Sequence, residues 1–294
     1  MAKQIFIRII TWLGIMAGLT LIALAIWYLA LGGSQTTESL KWLQFMQTLG
    51  TFLIPPILCA WIWDSNHQPF VWLKITNQKW LIYLIAILIM IVAIPAINLL
   101  ADLNSRIILP KSLDFIEQIF KQQEDAAAAL TERFLQADNI GQLLINIGLL
   151  ALLPALAEEL SFRGTLQQIL CPENSQITNQ KSQIHIAVWV TAIVFSAIHM
   201  QFYGFIPRML MGAMFGYVFL WTGSLWIPIL MHFTNNCIAV LAYYLTSNSQ
   251  EPITNSQQNI ADTIGAGDTW WLGVISILIT SLGLLVFYRR THIR

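Results

Sequence analysis

Three short polar motifs interrupt the apolar second half of the sequence. The residues in these motifs whose side chains could take part in a reaction are Glu158, Glu159, Arg163, His199, His232 and Asn236. Ionisable side chains are costly inside a membrane, so those present usually face a bundle interior and serve a function. Carboxylate, imidazole and amide groups together can activate a water and stabilise an oxyanion. The residue types therefore indicate acyl hydrolysis as one possible chemistry.

The first motif contains two adjacent carboxylates that a helix would separate. Glu159 and Arg163 are four residues apart, so on a helix they share a face and can form an ion pair. Glu158 is rotated by about 100° from Glu159. One carboxylate is therefore expected to be neutralised by the arginine, and Glu158 is left to point elsewhere and react.

Each of the two histidine motifs places a second side chain one helical turn away. Phe195 precedes His199 by four residues, and His232 precedes Asn236 by four. An alternative to direct water activation is a zinc site in which Glu158, His199 and His232 are ligands and one position stays open for water. The chain has no His-Glu-x-x-His zinc signature, which favours the metal-free interpretation.

The elements that must position these residues are membrane helices. Of the 294 residues, 56% are hydrophobic and only 10% are charged, whereas a soluble domain carries about 25% charged residues. A membrane helix needs about 20 mostly apolar residues. Such segments are predicted at residues 9–31, 42–63, 80–100, 140–160, 185–201, 205–222, 225–246 and 270–288. We therefore predict an all-α fold, a polytopic membrane bundle of about eight transmembrane helices.

Loops divide the chain into three predicted regions. Residues 1–139 hold the N-terminal helices and a polar loop, residues 140–246 hold the three motifs, and residues 247–294 hold a second polar loop and the last helix. In the first loop, residues 112–137 have the apolar spacing of an amphipathic helix that lies on the membrane, caps the bundle or serves only as a connector. The formal net charge is zero, which gives no indication of a nucleic-acid partner.

Basic residues near the chain ends predict the orientation in the membrane. Lys3 and Arg8 flank the first span, and Arg289 and Arg290 follow the last one. Because basic loops stay in the cytoplasm, both termini are expected to be cytoplasmic. The expected location is a plasma or inner membrane, with the chain crossing it several times.

The predicted spans place Glu158 and His199 at different depths. Glu158 lies toward the cytoplasmic end of the fourth span, and His199 lies at the far end of the fifth. Residues 185–199 would rise about 20 Å along a helix axis. Because site residues must converge, we expect a later start of the fifth span, a strong tilt, or irregular backbone near Gly204 and Pro207.

The ordered set of motifs resembles the type II CAAX prenyl protease family, also called the CPBP or Abi family of intramembrane peptidases. That family has Glu-Glu-x-x-x-Arg, Phe-x-x-x-His and His-x-x-x-Asn or Asp on successive membrane helices. The matching segments here are Glu158-Glu159-Leu160-Ser161-Phe162-Arg163, Phe195-Ser196-Ala197-Ile198-His199 and His232-Phe233-Thr234-Asn235-Asn236. The resemblance covers roughly residues 140–246 and implies an eight-helix α-bundle.

The resemblance also implies roles for the motif residues and a class of substrate. Glu158 would be the general base, His199 would hold and polarise the water, and His232 and Asn236 would form the oxyanion hole. The remaining carboxylate and arginine of the first motif would form a supporting ion pair. Eukaryotic members of the family remove the last three residues of prenylated CAAX proteins, so the expected partners are membrane lipid and a membrane-associated or lipidated substrate.

Three functional hypotheses follow from the sequence. The first is an intramembrane endopeptidase, either metal-free or a metalloprotease with one divalent ion such as zinc. The second is a transporter or proton relay, because intramembrane Glu and His side chains also serve pumps. The third is a non-catalytic membrane scaffold or immunity protein with the same architecture. The ionisable residues within the predicted spans lie in the second half of the chain only, which weighs against the inverted repeats of a transporter.

Overall fold

The structure, a computed structural model, describes residues 2–171, 181–247 and 263–292. In these parts of the chain we find helices and turns and no strand. The main helices, labelled α1 to α9 in chain order, are Ala2–Leu31, Thr37–Trp63, Trp80–Ser105, Asp114–Leu135, Ile140–Leu170, Lys181–Ala197, Phe205–Thr222, Trp226–Ser247 and Trp270–His292. The predicted all-α polytopic bundle is confirmed. Most of the predicted polar loop after residue 247 lies outside the described residues.

Six of the described helices are long and apolar enough to cross a membrane, namely α1, α2, α3, α5, α7 and α9. The two other predicted spans are also helical. Helix α6 is apolar but has only 17 residues, and the polar side chains of His232, Asn235 and Asn236 lower the mean hydropathy of α8. The chain is therefore an integral membrane protein. The two predicted spans that fall short of the length or hydropathy of a membrane helix both carry motif residues.

Wide π-helical turns occur in α5, which carries the first motif, and in α2, which packs against it. Helix α5 contains such turns at Ile147–Leu152 and Phe162–Gln167, and α2 contains one at Thr48–Leu53. The hydroxyl of Ser161 donates a hydrogen bond to the backbone carbonyl of Phe52 at 2.9 Å, which joins the two helices. Turns of this kind are rare and are found mostly at functional sites.

A proline inside α3 is accommodated by a side chain from α9. Pro95 lacks an N–H group, which interrupts the backbone hydrogen bonds of the helix. The backbone N–H of Ala96 donates to Ser276 Oγ at 3.1 Å, and that hydroxyl donates to the carbonyl of Val92. The serine thereby satisfies backbone groups that have no water available in a membrane.

The amphipathic helix α4 covers one end of the bundle. The ring of Phe120 stacks on the ring of Phe202, with centroids 4.9 Å apart and planes 6° apart. The side chain of Asn104, at the end of α3, donates to the carbonyl of Phe202 at 2.9 Å and accepts from the backbone N–H of Ile206 at 2.9 Å. The loop between α6 and α7 is therefore held between α3 and α4. Of the three predicted roles, capping the bundle is the one that these contacts support.

Two glycines in π-helical turns give opposite expectations for substitution by alanine. A Cβ added to Gly50 would lie 2.8 Å from the backbone oxygen of Leu19, so α1 and α2 would have to move apart. We expect Gly50→Ala to destabilise the protein by about 1–3 kcal/mol, as overpacking does. Unfolding by SDS in mixed micelles measures this effect.

Gly148→Ala is the matched control for that prediction. A Cβ at Gly148 meets nothing within 4 Å, and alanine is preferred over glycine in a helix interior by about 1 kcal/mol. We expect this variant to be at least as stable as the wild type. Equal destabilisation by both substitutions would contradict the close packing of α1 on α2.

Candidate active site

The three motifs meet at one place inside the bundle. Helix α5 carries the first motif, the end of α6 and the following loop carry the second, and the first half of α8 carries the third. The Oε2 atom of Glu158 lies 4.0 Å from the Nε2 atom of His199 and 4.0 Å from the Nε2 atom of His232. Residues that are far apart in sequence therefore place one carboxylate oxygen and two imidazole nitrogens around a common point.

Glu159 and Arg163 form an ion pair that is completely shielded from solvent. Arg163 Nη1 donates to Glu159 Oε1 at 2.7 Å, and both side chains have no exposed surface. Arg163 Nη2 donates to the carbonyl of Gly212 at 2.9 Å, and the guanidinium lies 4.5 Å from the ring centroid of Phe195. A buried charge is tolerated only when it is paired and hydrogen-bonded. This ion pair joins α5 to α7 and holds the residues of the site in position.

The hydrogen bonds of His232 determine which of its nitrogens carries the proton. Its Nδ1 lies 2.9 Å from Glu159 Oε1, the oxygen that Arg163 also contacts. An ionised carboxylate can only accept, so Nδ1 must donate and Nε2 of the neutral ring keeps its lone pair. The ring of Phe215 stacks on the imidazole at 5.5 Å and fixes its plane. His232 Nε2 is therefore an acceptor directed at Glu158.

His199 reaches the same point with the same tautomer. Its Nδ1 lies 2.8 Å from the backbone carbonyl of Phe195. Since a carbonyl oxygen only accepts, Nδ1 donates, and Nε2 carries the lone pair that faces Glu158. The side chain of His199 is 27% exposed, against 5% for His232. His199 thus forms the more open side of the site.

Glu158 is the least satisfied group in the cluster. Its side chain is 15% exposed, and its buried Oε2 atom has no hydrogen-bond partner among the described residues. A separation of 4.0 Å is too long for a direct hydrogen bond and suits two groups that share one water. A water at this point would donate its two hydrogens to two of these three acceptors, and its oxygen lone pairs would remain uncommitted.

Asn236 lies one helical turn beyond His232, on the same face of α8. The side-chain amide of Asn235 donates to its carbonyl oxygen at 3.1 Å. That contact leaves the two N–H groups of Asn236 as its donor end. The oxyanion role expected for His232 differs from the observed hydrogen bonds, because its one N–H group is used by Glu159. Asn236 is the motif residue that retains donor capacity.

Of the explanations expected for the depth conflict between Glu158 and His199, a later start of the fifth span is wrong because α6 is already helical at Lys181, and irregular backbone near Gly204 is observed. This helix ends at Ala197, and residues 198–204 form a loop that leads into α7. Met200 in this loop has a left-handed backbone with φ of 54°, so the chain reverses direction sharply. Irregular backbone is tolerated at membrane depth where protein covers it, and α4 provides that cover. The tip of the α6–α7 hairpin therefore brings His199 to the level of Glu158.

Arg208 is a residue near the site that the motif analysis did not identify. It lies in the first turn of α7, and its charge is close enough to interact with those of Glu158 and of Glu124 on α4. The signal that could have revealed it is an isolated arginine in an otherwise apolar span. It stands outside the three motifs, which is why their spacing does not point to it.

A groove of about 850 Å³ opens between α2 and α5. Its apolar wall includes Trp42, Phe45, Leu152 and Leu156. Charged and polar side chains, among them Lys41, also line it. A groove of this size is within the range of ligand pockets. Leu156 precedes Glu158 by two residues on α5, which places the two side chains on nearly opposite faces of the helix, and no residue of the cluster lines the groove.

The same cluster can be tested as a zinc site. Its donor types suit zinc, since one carboxylate oxygen and two unprotonated imidazole nitrogens face each other. The positions do not fit, because ligand atoms around a tetrahedral zinc would lie about 3.3 Å apart, whereas the observed separations are 4.0 Å. Across the described ranges, no group of three or more His, Cys, Asp and Glu side chains is arranged to hold a metal ion.

The fold and the site define a polytopic helical membrane protein with a buried carboxylate and imidazole cluster. Comparison with protein families is consistent with that class: residues 140–238, about a third of the chain, match the family model Rce1-like, described as type II CAAX prenyl endopeptidase Rce1-like. The matched segment contains all three motifs. The family resemblance predicted from the motifs is confirmed over this segment.

One curated relative supports the same region of similarity. The uncharacterized protein YpbD of Bacillus subtilis (strain 168) is 32% identical over 92 residues, which cover 30% of this chain and 40% of the relative. The chain thus matches less than half of the length of that protein. No solved structure matches the chain significantly.

Proposed function

We propose that the protein is an intramembrane endopeptidase that hydrolyses peptide bonds of membrane-associated proteins. The observation that carries the proposal is the convergence of Glu158 Oε2 with the Nε2 atoms of His199 and His232 at 4.0 Å. The family match over residues 140–238 supports the same class of activity. Both the catalytic roles and the substrate below belong to this proposal.

In the proposed reaction, Glu158 is the general base. A water held by the carboxylate and by an imidazole Nε2 gives one proton to Glu158 Oε2, and its oxygen bonds to the carbonyl carbon of the scissile peptide. The carbonyl oxygen takes up the negative charge. When the tetrahedral intermediate collapses, the C–N bond breaks, and the proton on Glu158 passes to the leaving nitrogen. The products are a carboxylic acid, which then loses its proton to solvent, and an amine.

The other motif residues would keep this chemistry in place. Glu159 orients His232 through the hydrogen bond at Nδ1, and Arg163 neutralises Glu159. Asn236 would donate to the developing oxyanion, as the family resemblance implies. His232 would hold the water rather than the oxyanion, because its N–H group is engaged by Glu159.

The substrate that fits this site is a peptide attached to the membrane. The groove between α2 and α5 has a mainly apolar lining, so it suits a hydrocarbon chain or an apolar peptide segment. A prenylated CAAX-type protein is one member of this class. We place both chain termini in the cytoplasm of a plasma or inner membrane, because Lys3, Arg8, Arg289 and Arg290 flank the outermost spans.

Hydrolysis of a lipidated peptide by the purified protein in lipid nanodiscs tests this proposal. In H₂¹⁸O, mass spectrometry should find one ¹⁸O in the new carboxylate and a free amine on the other fragment. Failure to cleave any lipidated or membrane-tethered peptide, combined with ion or proton flux in proteoliposomes that depends on Glu158, would support the transport hypothesis instead.

The metal-free form of the mechanism makes its own prediction. Activity should be unchanged after dialysis against EDTA and 1,10-phenanthroline, because Glu158 activates the water without a Lewis acid. Metal analysis of the purified protein should accompany the assay. Loss of activity that is restored by added zinc would overturn the metal-free mechanism and assign Glu158, His199 and His232 as ligands.

A further inference from the structure

Arg208 lies on the face of α7 that contacts the site. Gly212 and Phe215 follow it by one and two helical turns on the same face. Gly212 accepts a hydrogen bond from Arg163, and Phe215 stacks on His232. The guanidinium packs flat against Gly204, where an added Cβ would lie 2.9 Å from its Nη2 atom. Arg208 is therefore part of the wall around the cluster.

The hydrogen bonds of Arg208 are incomplete. Its Nη2 atom donates to Gln201 Oε1 at 2.7 Å, and Gln201 follows His199 by two residues in the same loop. Its Nη1 atom is buried and has no acceptor among the described residues. A buried N–H group without an acceptor costs about 1–3 kcal/mol, and more when the group is charged. Such a group is explained if a ligand supplies the acceptor.

The charges around Arg208 indicate what that acceptor carries. Its guanidinium interacts electrostatically with Glu158 and Glu124. In the described structure, however, neither carboxylate lies within 4.0 Å of the Arg208 guanidinium, the limit for an ion pair. When Glu158 takes a proton from water it becomes neutral, and the negative charge moves to the substrate's carbonyl oxygen. A fixed cation beside Glu158 compensates the charge both before and after this transfer.

We propose that Arg208 donates its Nη1–H to the carbonyl oxygen of the scissile peptide bond and stabilises the negative charge that forms there. The assignment rests on the proposed endopeptidase function. It supplies the oxyanion donor that His232 cannot provide while its N–H group is bound to Glu159. Gln201 is the positioning residue, since its carbonyl holds the guanidinium from the opposite edge.

Kinetics of Arg208 variants in the nanodisc assay test this assignment. For Arg208→Gln we expect kcat to fall about 10²–10³-fold, the effect of removing one oxyanion donor, with KM nearly unchanged because the interaction forms in the transition state. Arg208→Lys should recover part of the loss, because it keeps the charge and loses the planar geometry. SDS unfolding of both variants separates a catalytic effect from misfolding.

The Glu124→Gln variant distinguishes a catalytic role of Arg208 from a role in holding α4 against the bundle. This variant removes the carboxylate that faces Arg208 from the cap and leaves the proposed oxyanion contact intact. We expect its kcat to stay near the wild-type value. If Glu124→Gln lowers kcat as much as Arg208→Gln, or if both Arg208 variants retain full kcat, the assignment is overturned while the endopeptidase function stands. Absence of Glu158-dependent hydrolysis in the wild type would overturn both.

Discussion

Replacing Glu158 with glutamine should lower kcat for hydrolysis of a lipidated peptide by about 10²–10⁴-fold, the contribution of a positioned general base. The amide has the shape of the carboxylate but cannot take a proton from water. Because Glu158 is partly exposed and has no ion pair in the described structure shorter than 4.0 Å, the variant should fold normally. Rates in nanodiscs and unfolding in SDS measure the two quantities separately.

Glu117→Gln is the matched control for the Glu158 variant. Glu117 is a carboxylate on α4 that pairs with Lys121 at 2.6 Å, outside the cluster. We expect its kcat to match that of the wild type. A Glu158→Gln protein that hydrolyses the peptide at the wild-type rate would remove Glu158 from the mechanism, whatever the control shows.

Replacing Arg163 with methionine should destabilise the fold by about 3–5 kcal/mol, because one partner of a buried ion pair would be left uncompensated. Methionine fills a similar volume, so the effect reports the charge rather than a cavity. The hydrogen bonds from Arg163 to Glu159 and to the carbonyl of Gly212 are lost together. Unfolding in SDS-containing mixed micelles gives the free-energy difference.

Two companion variants identify the cause of that loss. Glu159→Gln combined with Arg163→Met removes both charges and should recover much of the stability. Arg106→Met breaks an ion pair of equal spacing, with Asp102, in which the arginine side chain is 64% exposed; we expect it to cost no more than about 1 kcal/mol. If the exposed and the buried arginine prove equally important, burial is not the source of the effect.

The helices and the first motif could be predicted from the sequence because both depend on local spacing. Apolar runs of about 20 residues identify membrane helices, and the spacing of four residues between Glu159 and Arg163 indicates a shared helical face. Each predicted span corresponds to a helix. Residues 112–137 were expected to form an amphipathic helix, and α4 spans Asp114–Leu135.

The convergence at the site depends on tertiary structure that local spacing does not encode. Helix α6 ends at Ala197 and the chain turns at Met200, so His199 lies at the tip of a helical hairpin, 4.0 Å from Glu158. The protonated nitrogen of His232 follows from its contact with Glu159, 73 residues away. The contribution of Arg208 becomes visible only when α7 packs beside α5. None of these features has a periodic pattern in the sequence.

The wide turn at Ile147–Leu152 determines on which face of α5 the residues that follow it lie. It holds one residue more than a regular α-helical turn, so it sets the rotational phase of everything that follows on this helix. If the same six residues adopted regular α-helical turns, the downstream segment would be rotated by about 100° relative to its start. The Glu158 side chain would then point away from the two histidines, although every motif residue was still present. A relative with intact motifs but one residue fewer in this stretch would therefore assemble the same site with an ordinary α-helix there.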